Sequence, residues 1–135
     1  MTSHPMTMRA VQQTEWGTLD NMKLVEVPRP ERLPTEVLVR VKAAGVNPID
    51  YHTAFGRGYM NALSLPHIPG WEVAGVVEQV GFGTTRFDVG DSVFGFCRFP
   101  RALGGFAEYV VAPARQLALK PAAINFSWTL PRPKC

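Results

Sequence analysis

A β-barrel or β-sandwich is the architecture this sequence predicts. Short runs of β-branched and aromatic residues recur along the chain, and Gly and Pro, at 12 residues each, punctuate them at close spacing. Almost no stretch shows the 3.6-residue period of an amphipathic helix. At 135 residues, 46% hydrophobic and 19% charged, the chain suits one domain with a real core. Its net charge of +3 is unclustered, which gives no argument for nucleic acid or a membrane surface. No apolar run approaches spanning length, and the opening MTSHPMTMRA lacks the apolar centre of a signal peptide, so a cytoplasmic protein is expected. Cys97 and Cys135 offer no disulfide framework and are read as reduced thiols.

Residues 1–7 read as a flexible lead. Met8 to Trp16 reads as a strand in which Met8, Ala10 and Gln12 alternate with Arg9, Val11 and Gln13. Gly17 to Asn21 is a turn signal, and Met22 to Val27 is a second strand that Pro28 ends. PRPERLPTE is an exposed connector. The clearest half-buried strand is Glu36 to Ala44, where Val37, Val39, Val41 and Ala43 alternate with Glu36, Leu38, Arg40 and Lys42. Tyr59 to Pro69 is irregular. Val73 to Val80 is a β-branched strand whose Gly75 marks a bulge or a close backbone approach. Gly81 and Gly83 lack the following helix and third glycine of a phosphate loop, so they are a surface turn. Ser92 to Phe96, Phe106 to Val111 and Leu117 to Lys120 complete the strands.

Chemistry concentrates in Ala43 to Gly58, AAGVNPIDYHTAFGRG, directly after the clearest strand. Gly45 lets the backbone leave the strand, Asn47 is placed to cap a helical turn, and Pro48 to open it. Tyr51 and His52 then lie one turn on. Asn47 and Asp50 also admit a plainer role, in which the first only caps and the second only favours the helix dipole. His52 and His67 have no partners at ligand spacing, and surface or packing positions suit both.

AAGVNPIDYH, PGWEVAGVVEQVG, VGDSVFGF and GGFAEYVVAPARQLALKP, in that order and spacing, closely resemble the N-terminal GroES-like catalytic domain of the medium-chain dehydrogenase/reductase superfamily. The zinc-independent quinone oxidoreductase branch is the most similar. The resemblance covers residues 8–121 and implies a mainly β fold, a partly open barrel with short helical turns. It also implies an NADPH-dependent oxidoreductase acting on a small quinone or enone, with NADPH preferred to NADH on the branch alone. Where zinc-dependent relatives carry a Cys and a His, this chain has Asn47 and Trp71, and where they carry four structural cysteines it has only Cys97. No zinc is therefore expected.

By the same resemblance Asn47 lines the cleft beside the nicotinamide and serves both catalysis and cofactor binding. Tyr51, His52 and Tyr59 are candidate proton donors to the reduced product, with packing at the cleft rim as the alternative for each. Asp50 is expected to fix the loop. Ala54 replaces an Arg that relatives often carry. After Lys120-Pro121 the family continues into a Rossmann domain; residues 122–135 do not resemble it, with Pro131 and Pro133 excluding a continuing helix. The expectation is a truncated substrate-side domain, inactive alone. A free-standing binding module and an inactive fragment are the other readings, and the oligomeric state is left open.

Overall fold

The computed structural model describes residues 7–58, 60–123 and 125. The candidate Tyr59, the first residues and the tail from residue 126, with Cys135, lie outside the described residues. The fold is mainly β, in two sheets that do not close into a ring. β1 (Thr7–Gln12) and β2 (Lys23–Pro28) form an antiparallel ribbon. The larger sheet has the order β6-β3-β4-β5-β7, from β3 (Glu36–Gly45), β4 (Glu72–Val80), β5 (Ser92–Phe96), β6 (Tyr109–Pro113) and β7 (Ala118–Leu119). One helix, α1 (Pro48–Ala54), follows β3, and short 3₁₀ turns stand at Met60–Ala62 and Ala114–Gln116. Among the described residues no helix is long and apolar enough to cross a membrane.

The core is a valine cluster. Val37, Val39, Val73, Val77, Val93 and Val110 are at most 1% exposed and pack with Trp71, Phe87, Cys97 and Leu117. β-Branched side chains suit the pleated surface of central strands, and their burial supplies most of the hydrophobic stabilisation. Cys97 is inside this cluster, and burial pushes its thiol up to about 11, so it stays protonated and unreactive.

The pattern-based boundaries need correction in several places. β1 stops at Gln12, before Trp16, because Gln13 leaves the ribbon to bond His67: its N–H donates to the His67 carbonyl at 2.7 Å, and its carbonyl accepts from the His67 N–H at 2.8 Å. The last long strand starts at Tyr109, after Phe106, because residues 106–108 are spent on β1, with Val11 N–H on the Phe106 carbonyl and Glu108 N–H on the Arg9 carbonyl. β7 holds only Ala118 and Leu119. Leu38 is buried, not solvent-facing; it pairs with Val111, also buried, and both lie outside the main core cluster, so the second face of the sheet is covered there as well. Strict alternation fails wherever both faces of a strand are covered.

β3 and β4 slip register between Val41 and Ala43, leaving Lys42 unpaired opposite Gly75 and Ala74. A side chain at Gly75 would strike the Arg40 carbonyl, so the close approach expected there is present. The bulge re-aims the end of β3 so that Gly45 faces Glu72, the first residue of β4.

Candidate active site at the end of the central strand

Asn47 caps α1 with extended backbone and Pro48 occupies its first turn, as the Asn-Pro pair dictates. The Asp50 N–H donates to the Asn47 carbonyl at 2.9 Å, and the Asn47 N–H donates to Asp50 Oδ2 at 2.7 Å. This closed loop holds the first turn of a helix too short to stand by itself. The chain leaves α1 at Gly56, whose φ of +82° suits glycine.

The Asn47 side chain reaches across to β4, where Nδ2 donates to Glu72 Oε1 at 3.1 Å. Glu72 is 4% exposed and Asp50 5%, while Asn47 is half-buried at the surface above them. Burial raises the carboxyls of both acids above their ordinary range. The Asn47 and Gly70 N–H groups oppose that rise at Asp50; at Glu72 the Asn47 amide opposes it and the Asp50 charge adds to it.

Gly45 has a different role from the one its sequence position suggests. It is not among the positive-φ glycines, and a Cβ there would clash with Glu72 Oε1. The glycine leaves room for the carboxylate instead of turning the backbone.

Tyr51 and His52 project from α1 into solvent with their rings 4.6 Å apart. Among the described residues neither is hydrogen-bonded to the Asn47–Glu72 pair. The structure thus brings together Asn47, Asp50 and Glu72, and leaves Tyr51 and His52 beside them at the rim. Sequence reasoning passed over Glu72. Its only signal was a carboxylate opening an apolar strand, PGWEVAGVV, where a charge has to find a partner.

Trp71, immediately before Glu72, is 1% exposed, and its Nε1–H donates to the Arg101 carbonyl at 2.6 Å. An indole N–H so engaged offers no lone pair to a metal. Among the described residues no group of three or more His, Cys, Asp or Glu stands close enough together to hold a metal ion. His67 is buried between the rings of Trp16 at 5.4 Å and Trp71 at 6.3 Å, and burial lowers its imidazole to about 4.

Residues 33–122 match the alcohol dehydrogenase GroES-like domain. The chain belongs to that family. The GroES-like domain is 34% identical over 131 residues to 2-methylene-furan-3-one reductase of Solanum lycopersicum, covering 93% of this chain and 34% of that protein. The same figures hold for NADPH-dependent alkenal/one oxidoreductase, chloroplastic, of Arabidopsis thaliana. The solved quinone oxidoreductase from Coxiella burnetii superposes with a TM-score of 0.84 at 33% identity, over 89% of this chain and 39% of that one. This GroES-like domain spans about a third of the length of the curated relatives it matches.

Proposed function

We propose that this chain is the substrate-side catalytic domain of an NADPH-dependent, zinc-independent oxidoreductase that reduces quinones or activated alkenes. The observation that carries the reading is Asn47, a part-buried amide just beyond the end of a core strand and held by two buried carboxylates; by the resemblance, it stands where zinc-dependent relatives carry a Cys. The relatives reported above support the substrate class and the choice of NADPH.

When bound, the reduced nicotinamide supplies the hydride. The protein's part is orientation and hydrogen bonding. One Asn47 N–H is committed to Glu72, and the amide keeps a second N–H and acceptor capacity on Oδ1. That donor set fits a carboxamide or a carbonyl oxygen gaining charge. Tyr51 and His52 stand at the rim, where a phenol or imidazole can pass a proton to the reduced product, and Tyr59 is assigned the same candidate role. The donors here do not fit zinc: Asn47 offers an amide, and the Trp71 N–H is bonded to a carbonyl. The match to the GroES-like domain, over about a third of the relatives' length, supports assigning this chain the substrate side. We place residues 8–121 in this domain and 122–135 outside it.

The test is NADPH oxidation with a 2-alkenal or a quinone, by the chain alone and by the chain joined after Pro121 to the remaining part of the tomato reductase. Turnover by the chimera, insensitive to a metal chelator and absent from the chain alone, is the expected result. A folded chimera without turnover, or with turnover abolished by the chelator, would overturn the reading.

A further inference from the structure

An asparagine amide can sit two ways round, with Nδ2 and Oδ1 exchanged, and the two ends offer a ligand opposite chemistry. Left to solvent, the two orientations differ little in energy. We propose that Glu72 is the positioning residue of Asn47, its buried carboxylate selecting the orientation with Nδ2 turned toward β4. An ionised carboxylate only accepts hydrogen bonds, so the Asn47 amine side satisfies it and the carbonyl side would repel it. A bond to a charged acceptor is roughly twice as strong as a neutral one. With Glu72 4% exposed, little water competes for it.

Two further observations show that the surroundings are shaped around this contact. Gly45 lies opposite Glu72 in the sheet, and any Cβ at that position would clash with Glu72 Oε1. Asp50 bonds the Asn47 main-chain N–H at 2.7 Å. Backbone and side chain of Asn47 are therefore held by separate buried carboxylates, and the residue has little freedom left when a ligand arrives. Preorganisation of this kind lowers the ordering cost at the moment of reaction. The catalytic meaning of the arrangement rests on the function proposed above, whereas the coupling of Glu72 to Asn47 does not.

Protonation of Glu72 removes the selection, because a carboxylic acid O–H can donate to Oδ1 and stabilise the reversed amide. Asp50 on α1 is the charged group that acts on Glu72; its strand partners Gly45 on β3 and Phe96 on β5 bring none.

The experiment uses the 135-residue chain itself, labelled with ¹⁵N and ¹³C, so it needs no turnover. The Asn47 side-chain amide pair is assigned by its loss in Asn47→Asp and followed against pH. The pair is expected to exchange slowly with water and to shift with a midpoint above an ordinary glutamate's 4.5, a dependence that Glu72→Gln abolishes while the spectrum stays dispersed. Asp50 reports through the Asn47 main-chain N–H, which separates the two acids. Should Glu72→Gln not fold, Asn47→Ala serves instead: the Glu72 carboxyl loses the bond that lowers its pKa, and its midpoint must rise. A pair that is indifferent to pH and to Glu72→Gln, or a Glu72 midpoint unmoved by Asn47→Ala, overturns the proposal. If these couplings hold but the chimera bearing Asn47→Ala turns over normally, the function fails and the positioning stands.

Discussion

Helix α1 has a buried polar cluster at each end, and the two have opposite fates. At its start Asn47, Asp50 and Glu72 meet, and the amide remains half-exposed with bonding capacity unspent. At its end Gln13 is fully buried and spends its Nε2 on the carbonyls of Glu15, Thr18 and Ala54, between 2.8 and 3.1 Å. His67, bonded to Gln13 through the backbone and wedged between two tryptophans, is neutral. Both clusters contain a carboxamide. The one whose donors are consumed by main-chain carbonyls is a structural brace, and the one held by carboxylates at the surface is available for chemistry. Residue type does not separate them, nor does unspent capacity, since the buried Gln13 Oε1 has no hydrogen-bond partner; access does.

The strongest way to break the comparison is Gln13→Ala. It should cost roughly 2–4 kcal/mol of stability, because it removes the amide that ties the Glu15, Thr18 and Ala54 carbonyls together and opens a cavity, although the Ala54 carbonyl keeps the Gly17 N–H. Chemical denaturation measures this, and a loss below 1 kcal/mol would deny the brace.

The second prediction concerns pH. His67 titrates near 4 when folded and near 6.5 when unfolded, so the unfolded chain binds the proton first as pH falls. Stability is unaffected by His67 above 6.5 and is lost between 6.5 and 4, by up to about 3 kcal/mol. Asp50 and Glu72 run the other way, since carboxyls raised by burial favour the folded state on acidification. The difference between wild type and His67→Phe isolates the histidine. The variant should lose the acid slope, and a parallel pair of stability curves would refute the assignment.

At the other end of α1, Asn47→Ala should lower kcat/KM of the active chimera by an amount equivalent to about 1–3 kcal/mol, with a melting point within a few degrees of the parent. Unchanged kcat/KM with a comparable loss of stability would make Asn47 a cap and nothing more, and the two ends of the helix would then be alike.

Alternation of Val37, Val39 and Val41 disclosed β3, and Asn47-Pro48 disclosed the start of α1, because both signals are local: a pleat has period 2, and proline has one φ. Leu38 defied the same pattern because whether the second face of the sheet is covered is a tertiary matter, and there it is. Gly45 reads along the chain as a strand exit, whereas its need for space arises from a side chain on another strand. Glu72 could not be linked to Asn47, 25 residues away, without the bulged register of β3 and β4.

By itself, then, the sequence determined the β architecture, the capped turn after β3 and, through four motifs in order, the family. Only the tertiary structure decided which polar groups meet. Side-chain periodicity is written along the chain, but the partner of a buried carboxylate is chosen by sheet register and by the room a glycine leaves, and both exist only once the strands have paired.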